Sequence, residues 1–107
     1  MTFALTIRTS DELAAEARAA AERDIAAAID ARVEAQAREL GYNSAAHLAG
    51  YVSSTVPQWA AEAQAFVAWR DAVWLAAFEV QTQALAAQEV PSLDDVLAAL
   101  PAWEGVP

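Results

Sequence analysis

Cysteine is missing from this chain of 107 residues, and so is lysine. Without Cys there is no disulfide, no thiolate metal ligand and no thiol nucleophile. Without Lys, six Arg are the only fixed cations against 15 Asp and Glu, a formal net charge of −9. An acidic surface with no basic stripe argues against nucleic acid and against an anionic membrane as partners. The 3 Gly lie far apart, so no Gly-rich loop exists to cradle a phosphate. The lone His47 cannot build a multi-His metal site, and no Ser or Thr stands beside it in a nucleophile motif. No apolar run reaches the roughly 20 residues that span a bilayer. The richest stretch, Trp59 to Leu85, is broken by Glu62, Gln64, Arg70, Asp71 and Glu79. The N-terminus also lacks a basic segment followed by an apolar one, the pattern of a signal peptide. The expectation is a protein with no catalytic residue, no cofactor, no metal and no small-molecule ligand.

What the chain has instead is alanine. Hydrophobic residues make up 57% of it, and Ala supplies about half of them. Ala is the best helix former but buries little area. A core must therefore come from the 4 Trp, 3 Phe and 2 Tyr, with scattered Leu, Ile and Val. The length fits one domain with a small core.

Thr2 to Thr9 alternates, with Phe3, Leu5 and Ile7 on one side and polar residues on the other. Period two reads as a short β-strand or an extended arm. No second strand follows, so a paired strand needs a partner or another copy, and Phe3, Leu5 and Ile7 are the candidate partner-binding residues. Ser10-Asp11-Glu12 reads as a helix start capped by Ser10. A long helix is expected from there to about Leu40, ended by Gly41. Its larger apolar residues, Leu13, Ile25, Ile29, Val33 and Leu40, drift around the helix with no good heptad pattern. Arg18 with Glu22 and Glu34 with Arg38 have the spacing of i,i+4 ion pairs.

Asn43 or Ser44 can cap a short helix through about Tyr51. Pro57 suits the first turn of a third helix, from about Gln58 to Gln88. Trp59, Phe66, Val73 and Val80 repeat every seven residues there, with Val67, Trp74, Phe78 and Leu85 as a neighbouring stripe. That wide apolar face predicts a central helix. Pro91 ends the segment, Ser92 caps a last short helix with Asp95 placed as in a capping box, and Trp103 is expected to fold back over an apolar groove. The fold class is thus mainly α: a small helical bundle with a long N-terminal helix and one N-terminal strand or arm. Within that single structural domain, residues 1–40 form the arm and long helix and residues 41–107 a compact helical module. The expected core anchors are Tyr42, Tyr51, Trp59, Phe66, Trp69, Val73, Trp74 and Phe78. Arg70 and Trp74 are spaced to stack as a cation–π pair.

The run Gly41-Tyr42-x-Ser44, then Tyr51, then Phe66, then Trp69-Arg70-x-x-Val73-Trp74 has a recognisable outline. It closes on Pro91-Ser92, an acidic helix start, and Leu97-x-x-Leu100-Pro101. From about Ala31 to Trp103 this resembles a helical module of tailed-bacteriophage and prophage proteins encoded among tail-fibre and tail-assembly genes. The resemblance implies a non-enzymatic tail component, structural or adaptor, associated with tail fibre or baseplate. It implies other tail proteins or the chain itself as partners, in the virion tail and, during assembly, in the host cytoplasm. A tail-fibre assembly chaperone and a small phage inhibitor of a host protein are the alternatives. Interleaving of the acids with Arg18, Arg23, Arg32 and Arg38 speaks against the one-sided acidic patch that an inhibitor mimicking nucleic acid would need.

Overall fold

The structure is a computed structural model that describes residues 9–107. Among these residues there are four helices and no strand: α1 (Ser10–Glu39), α2 (Ala45–Ala49), α3 (Pro57–Ala86) and α4 (Leu93–Ala99). The fold is the small helical bundle with a long first helix that periodicity predicts. Phe3, Leu5 and Ile7 lie outside the described residues.

Local chemistry sets the helix ends. α1 is capped by Thr9, one residue before the expected Ser10. Thr9 Oγ1 accepts from the Glu12 N–H at 3.1 Å and Glu12 Oε2 accepts from the Thr9 N–H at 3.4 Å. Only Thr9 has a Glu three residues on, and that reciprocal pair outcompetes a single bond from Ser10. At the other end Gly41 takes φ 97, the Tyr42 N–H reaches the Ala37 carbonyl, and the Gly41 N–H reaches the Arg38 carbonyl. This is a Schellman closure, which wants Gly at the left-handed position. Ser44 caps α2 through the His47 N–H. Pro57 is the first residue of α3, where its missing N–H goes unneeded. Ser92 Oγ accepts from the Asp95 N–H to start α4.

The two long helices run antiparallel. Leu40 and Tyr42, at the end of α1, share a recess with Trp59 and Glu62, at the start of α3. Some 28 Å away along the helix axis, Gln81 Nε2 of α3 donates to Glu22 Oε1 of α1 at 3.0 Å. α2 and α4 each pack against both long helices. The Arg32 guanidinium donates to the Leu97 carbonyl, tying α1 to α4, and the Ala45 N–H donates to Glu34 Oε1, tying α2 to α1. Glu22 and Glu34 are thus engaged across helices, and the i,i+4 ion pairs Arg18–Glu22 and Glu34–Arg38 do not form.

The core is one cluster. α1 contributes Ile25, Ile29, Val33 and Ala37, α2 contributes Leu48, and α3 contributes Ala63, Phe66, Trp69, Val73 and Ala77. Val96 and Leu100 close it from α4. Ala37 and Ala63 have no exposed surface, so small residues occupy the tightest places and the large ones fill the layer between helices. Trp69 donates from its indole N–H to the Pro101 carbonyl at 3.0 Å. Trp103 packs edge-on against Trp69 and tilted against Phe66, at 5.8 and 6.4 Å between ring centres. The C-terminal tail therefore folds back onto α3 as expected.

Not every expected anchor is in the core. Phe66, Trp69 and Val73 are buried, and Tyr42, Tyr51 and Trp74 are half-buried at its edge. Trp59 is 49% exposed and Phe78 54% exposed, so neither is a core anchor. Trp59 stands in the first turn of α3, beyond the buried layer that begins at Ala63. Phe78 lies about 120° around the helix from Phe66, on the flank of the buried face. Arg70 does not stack on Trp74: its Nε and Nη2 both donate to Asp71 Oδ1, at 3.1 and 3.0 Å.

Three stability outcomes follow from this packing and from the backbone. Phe66→Ala removes a ring with no exposed surface and should lower unfolding free energy by about 3–5 kcal/mol in urea melts, whereas Phe78→Ala should lower it by no more than about 1 kcal/mol. Gln88 holds φ 57 in the closure of α3, where its N–H reaches Leu85 and the Glu89 N–H reaches Ala84. Left-handed backbone is strained in a residue with a Cβ, so Gln88→Gly should raise stability by about 0.5–1 kcal/mol in the same assay.

Candidate functional site

Two recesses at opposite ends of α3 gather the chemistry that faces solvent. The first is an apolar cleft of about 150 Å³ between the middle of α1 and the second half of α3, closed at one end by Pro91 and Val96. Ile25 and Ile29 form its α1 wall, and Trp74, Ala77 and Phe78 its α3 wall. The Trp74 and Phe78 rings lie 6.1 Å apart, tilted by 37°. The Glu22–Gln81 hydrogen bond contributes polar groups to the lining. Outside the cleft the same helix continues to expose Leu75, at 67%, and Leu85, the connection to α4 exposes Val90, and the first residue of α4 exposes Leu93. Trp74, Phe78 and Leu85 recur at helical spacing along one flank, which makes a stripe rather than scattered apolar residues.

The second recess is polar and aromatic, about 380 Å³, where the end of α1, α2 and the start of α3 meet. Gly41 turns the chain so that Tyr42 faces α2, and the single turn of α2 lines up His47 with Tyr51. Tyr42 and Tyr51 are 5.6 Å apart between ring centres, and His47 lies 6.1 Å from Tyr42 and 5.5 Å from Tyr51. The Trp59 ring stands nearly perpendicular to Tyr51, at 83° and 5.8 Å. The Tyr51 hydroxyl and His47 Nε2 are 3.4 Å apart. The Tyr42 phenol faces the Glu62 carboxylate. Burial first, then its hydrogen bond to Glu62 and the negative field of that carboxylate, push the Tyr42 pKa up to about 12.

Chemically, the first recess can hold an apolar side chain and the second a group that pairs with π faces and one carboxylate. Among the described residues, no group of three or more His, Cys, Asp or Glu is placed to hold a metal ion. No helix is long and apolar enough to cross a membrane among those residues. The sequence singled out Tyr42, Tyr51, Trp59, Trp74 and Phe78 as one set of anchors. The structure divides them, the first three to the aromatic recess and the last two to the cleft. Sequence reasoning passed over Glu62, which in the linear chain is one acid among 15. Its only signal was the three-residue spacing from Trp59, one turn apart on a helix.

The raised Tyr42 pKa makes a stability prediction. Its folded value lies above the unfolded value of 10.0, so the neutral phenol is favoured in the fold. The contribution is complete below pH 10 and is lost as pH rises through about 12. Ultraviolet titration should show one tyrosine ionising late, and Tyr42→Phe should remove that step and flatten the alkaline loss of stability.

Compared with protein-family models, with curated proteins and with solved structures, the chain matches none.

Proposed function

We propose that this chain is a non-enzymatic adaptor of a bacteriophage tail, joining tail proteins at the fibre or baseplate. The observation that carries the adaptor reading is the stripe Trp74–Phe78–Leu85 beside the apolar cleft. Large apolar side chains placed in a row at a cleft are the make-up of a protein contact surface. The tail assignment rests on the motif from Gly41 to Pro101. In this reading Phe78 and its neighbours take the apolar side chains of a second tail protein. Phe3, Leu5 and Ile7 add a strand to the edge of a partner's sheet, with main-chain hydrogen bonds for affinity and alternate side chains for register. In the bundle beneath, the tail is fastened to α3 through the Trp69 indole.

The test replaces Phe78 with Asp. Phe78 is more than half exposed, so the variant should keep its helical circular dichroism, with a stability loss of no more than about 1 kcal/mol. Purified tailed particles from the strain encoding the chain should contain the native protein by mass spectrometry and should lack the folded Phe78→Asp variant. Absence of the native chain from particles whose assembly requires it would replace the adaptor with an assembly chaperone. Equal incorporation of both forms would remove the cleft as the contact surface.

A further inference from the structure

We propose that the aromatic recess formed by Tyr42, His47, Tyr51, Trp59 and Glu62 binds the guanidinium group of an arginine presented by a partner protein. The inference deepens the adaptor reading by naming the partner's chemistry, but it stands on a different surface. A cation is attracted to the face of an aromatic ring within about 6 Å of its centre, and Trp and Tyr are the strongest such faces. Here Tyr51 and Trp59 meet nearly at right angles, 5.8 Å apart, so together they make a corner with two walls. Tyr42 adds a third ring, tilted 59° from Tyr51. Trp59 is half exposed, so one wall is open to an incoming group.

Charge chooses the occupant. Glu62 is the one carboxylate of the lining, and among the described residues no Arg lines the recess. The Tyr42 phenol occupies part of that carboxylate's acceptor capacity and leaves lone pairs for a second donor. The recess thus offers π faces and an acceptor to a cation that the described chain does not itself supply. A guanidinium fits both features. Its plane stacks on an aromatic face while its N–H fork pairs with a carboxylate, and a compact ammonium does only the second well. Two copies of this chain each carry −9 and repel one another, which favours a different protein as the source of the arginine.

The test titrates methylguanidinium chloride into the full chain at constant ionic strength. The reporter is the Trp59 indole N–H resonance, assigned by its loss in Trp59→Phe. A saturable shift is expected, with affinity at least about threefold weaker in Glu62→Gln. Methylurea, planar and of the same shape but neutral, should bind at least about threefold more weakly to the native chain. The proposal is overturned if sodium chloride alone gives the same shift, if methylurea binds as tightly, or if folded Glu62→Gln binds as well as native. The methylurea comparison needs no variant and so decides the matter even if Glu62→Gln does not fold. Because the probe needs no tail particle and the Phe78→Asp experiment needs no cation, failure of one reading is distinguishable from failure of the other.

Discussion

The hydrogen bond from the Trp69 indole to the Pro101 carbonyl, 3.0 Å long, is the constraint on which the compact half of the molecule depends. In a chain this rich in Ala a Trp is the largest available knob, yet it can be buried only if its N–H finds an acceptor. Pro101 provides the acceptor. As a proline it also keeps the residue before it out of helical geometry, and Leu100 is accordingly extended at φ −71, ψ 135. That turn ends α4, leaves Leu100 buried, and brings Trp103 edge-on to Trp69. One side chain thereby fastens the last helix, the tail and the centre of α3 together.

Alanine explains both what is packed and what is left over. Ala37, Ala63 and Ala77 let the helices meet in places where a larger side chain would hold them apart. The fully buried stripe of α1 begins only at Ile25, and residues 18–22 are half-buried with Glu22 bonded to Gln81, so only the exposed turns from Ser10 to Ala17 rest on Ala propensity and the Thr9–Glu12 cap rather than on burial. A core this thin has room for Phe66, Trp69 and Val73 but not for every aromatic residue of α3. Trp59, Leu75, Phe78 and Leu85 remain at the surface. Their exposure follows from a narrow buried face on a helix whose sequence is apolar over most of its circumference.

The helix ends were legible because each rests on local chemistry: Gly41, Ser44, Pro57 and Ser92 all do what their types do at such positions. Thr9 was misread as Ser10, because the Glu12 three residues on was not weighed against a bare Ser10. Gln88 carries no such signal, since nothing in a Gln announces a left-handed residue. Burial along α3 was only half legible. Trp59 and Phe66 share a seven-residue spacing, but whether a neighbour covers each depends on where α1 and α4 lie, which periodicity does not contain. The same holds for Arg70, whose choice between the Trp74 face and the Asp71 carboxylate is decided by rotamers. The recess around Glu62 joins residues of α2 and α3 with the turns that follow α1 and α2, and no local pattern brings them together.

The motif residues divide by position in a way that bears on function. Gly41, Ser44, Phe66, Trp69, Val73, Pro91, Ser92, Leu100 and Pro101 cap helices, fill the core or turn the chain. Such residues specify a shape, and any protein needing that shape would keep them. Tyr42, Tyr51 and Trp74 are different, because each spends part of its ring on a recess that solvent reaches. The two recesses lie along one continuous helix, with Trp59 and Trp74 fifteen residues and therefore about 22 Å apart. An unbroken helix anchored through Phe66, Trp69 and Val73 between them keeps that separation fixed. The adaptor we propose would use that fixed spacing, with the apolar cleft and the aromatic, acidic recess each meeting a partner surface.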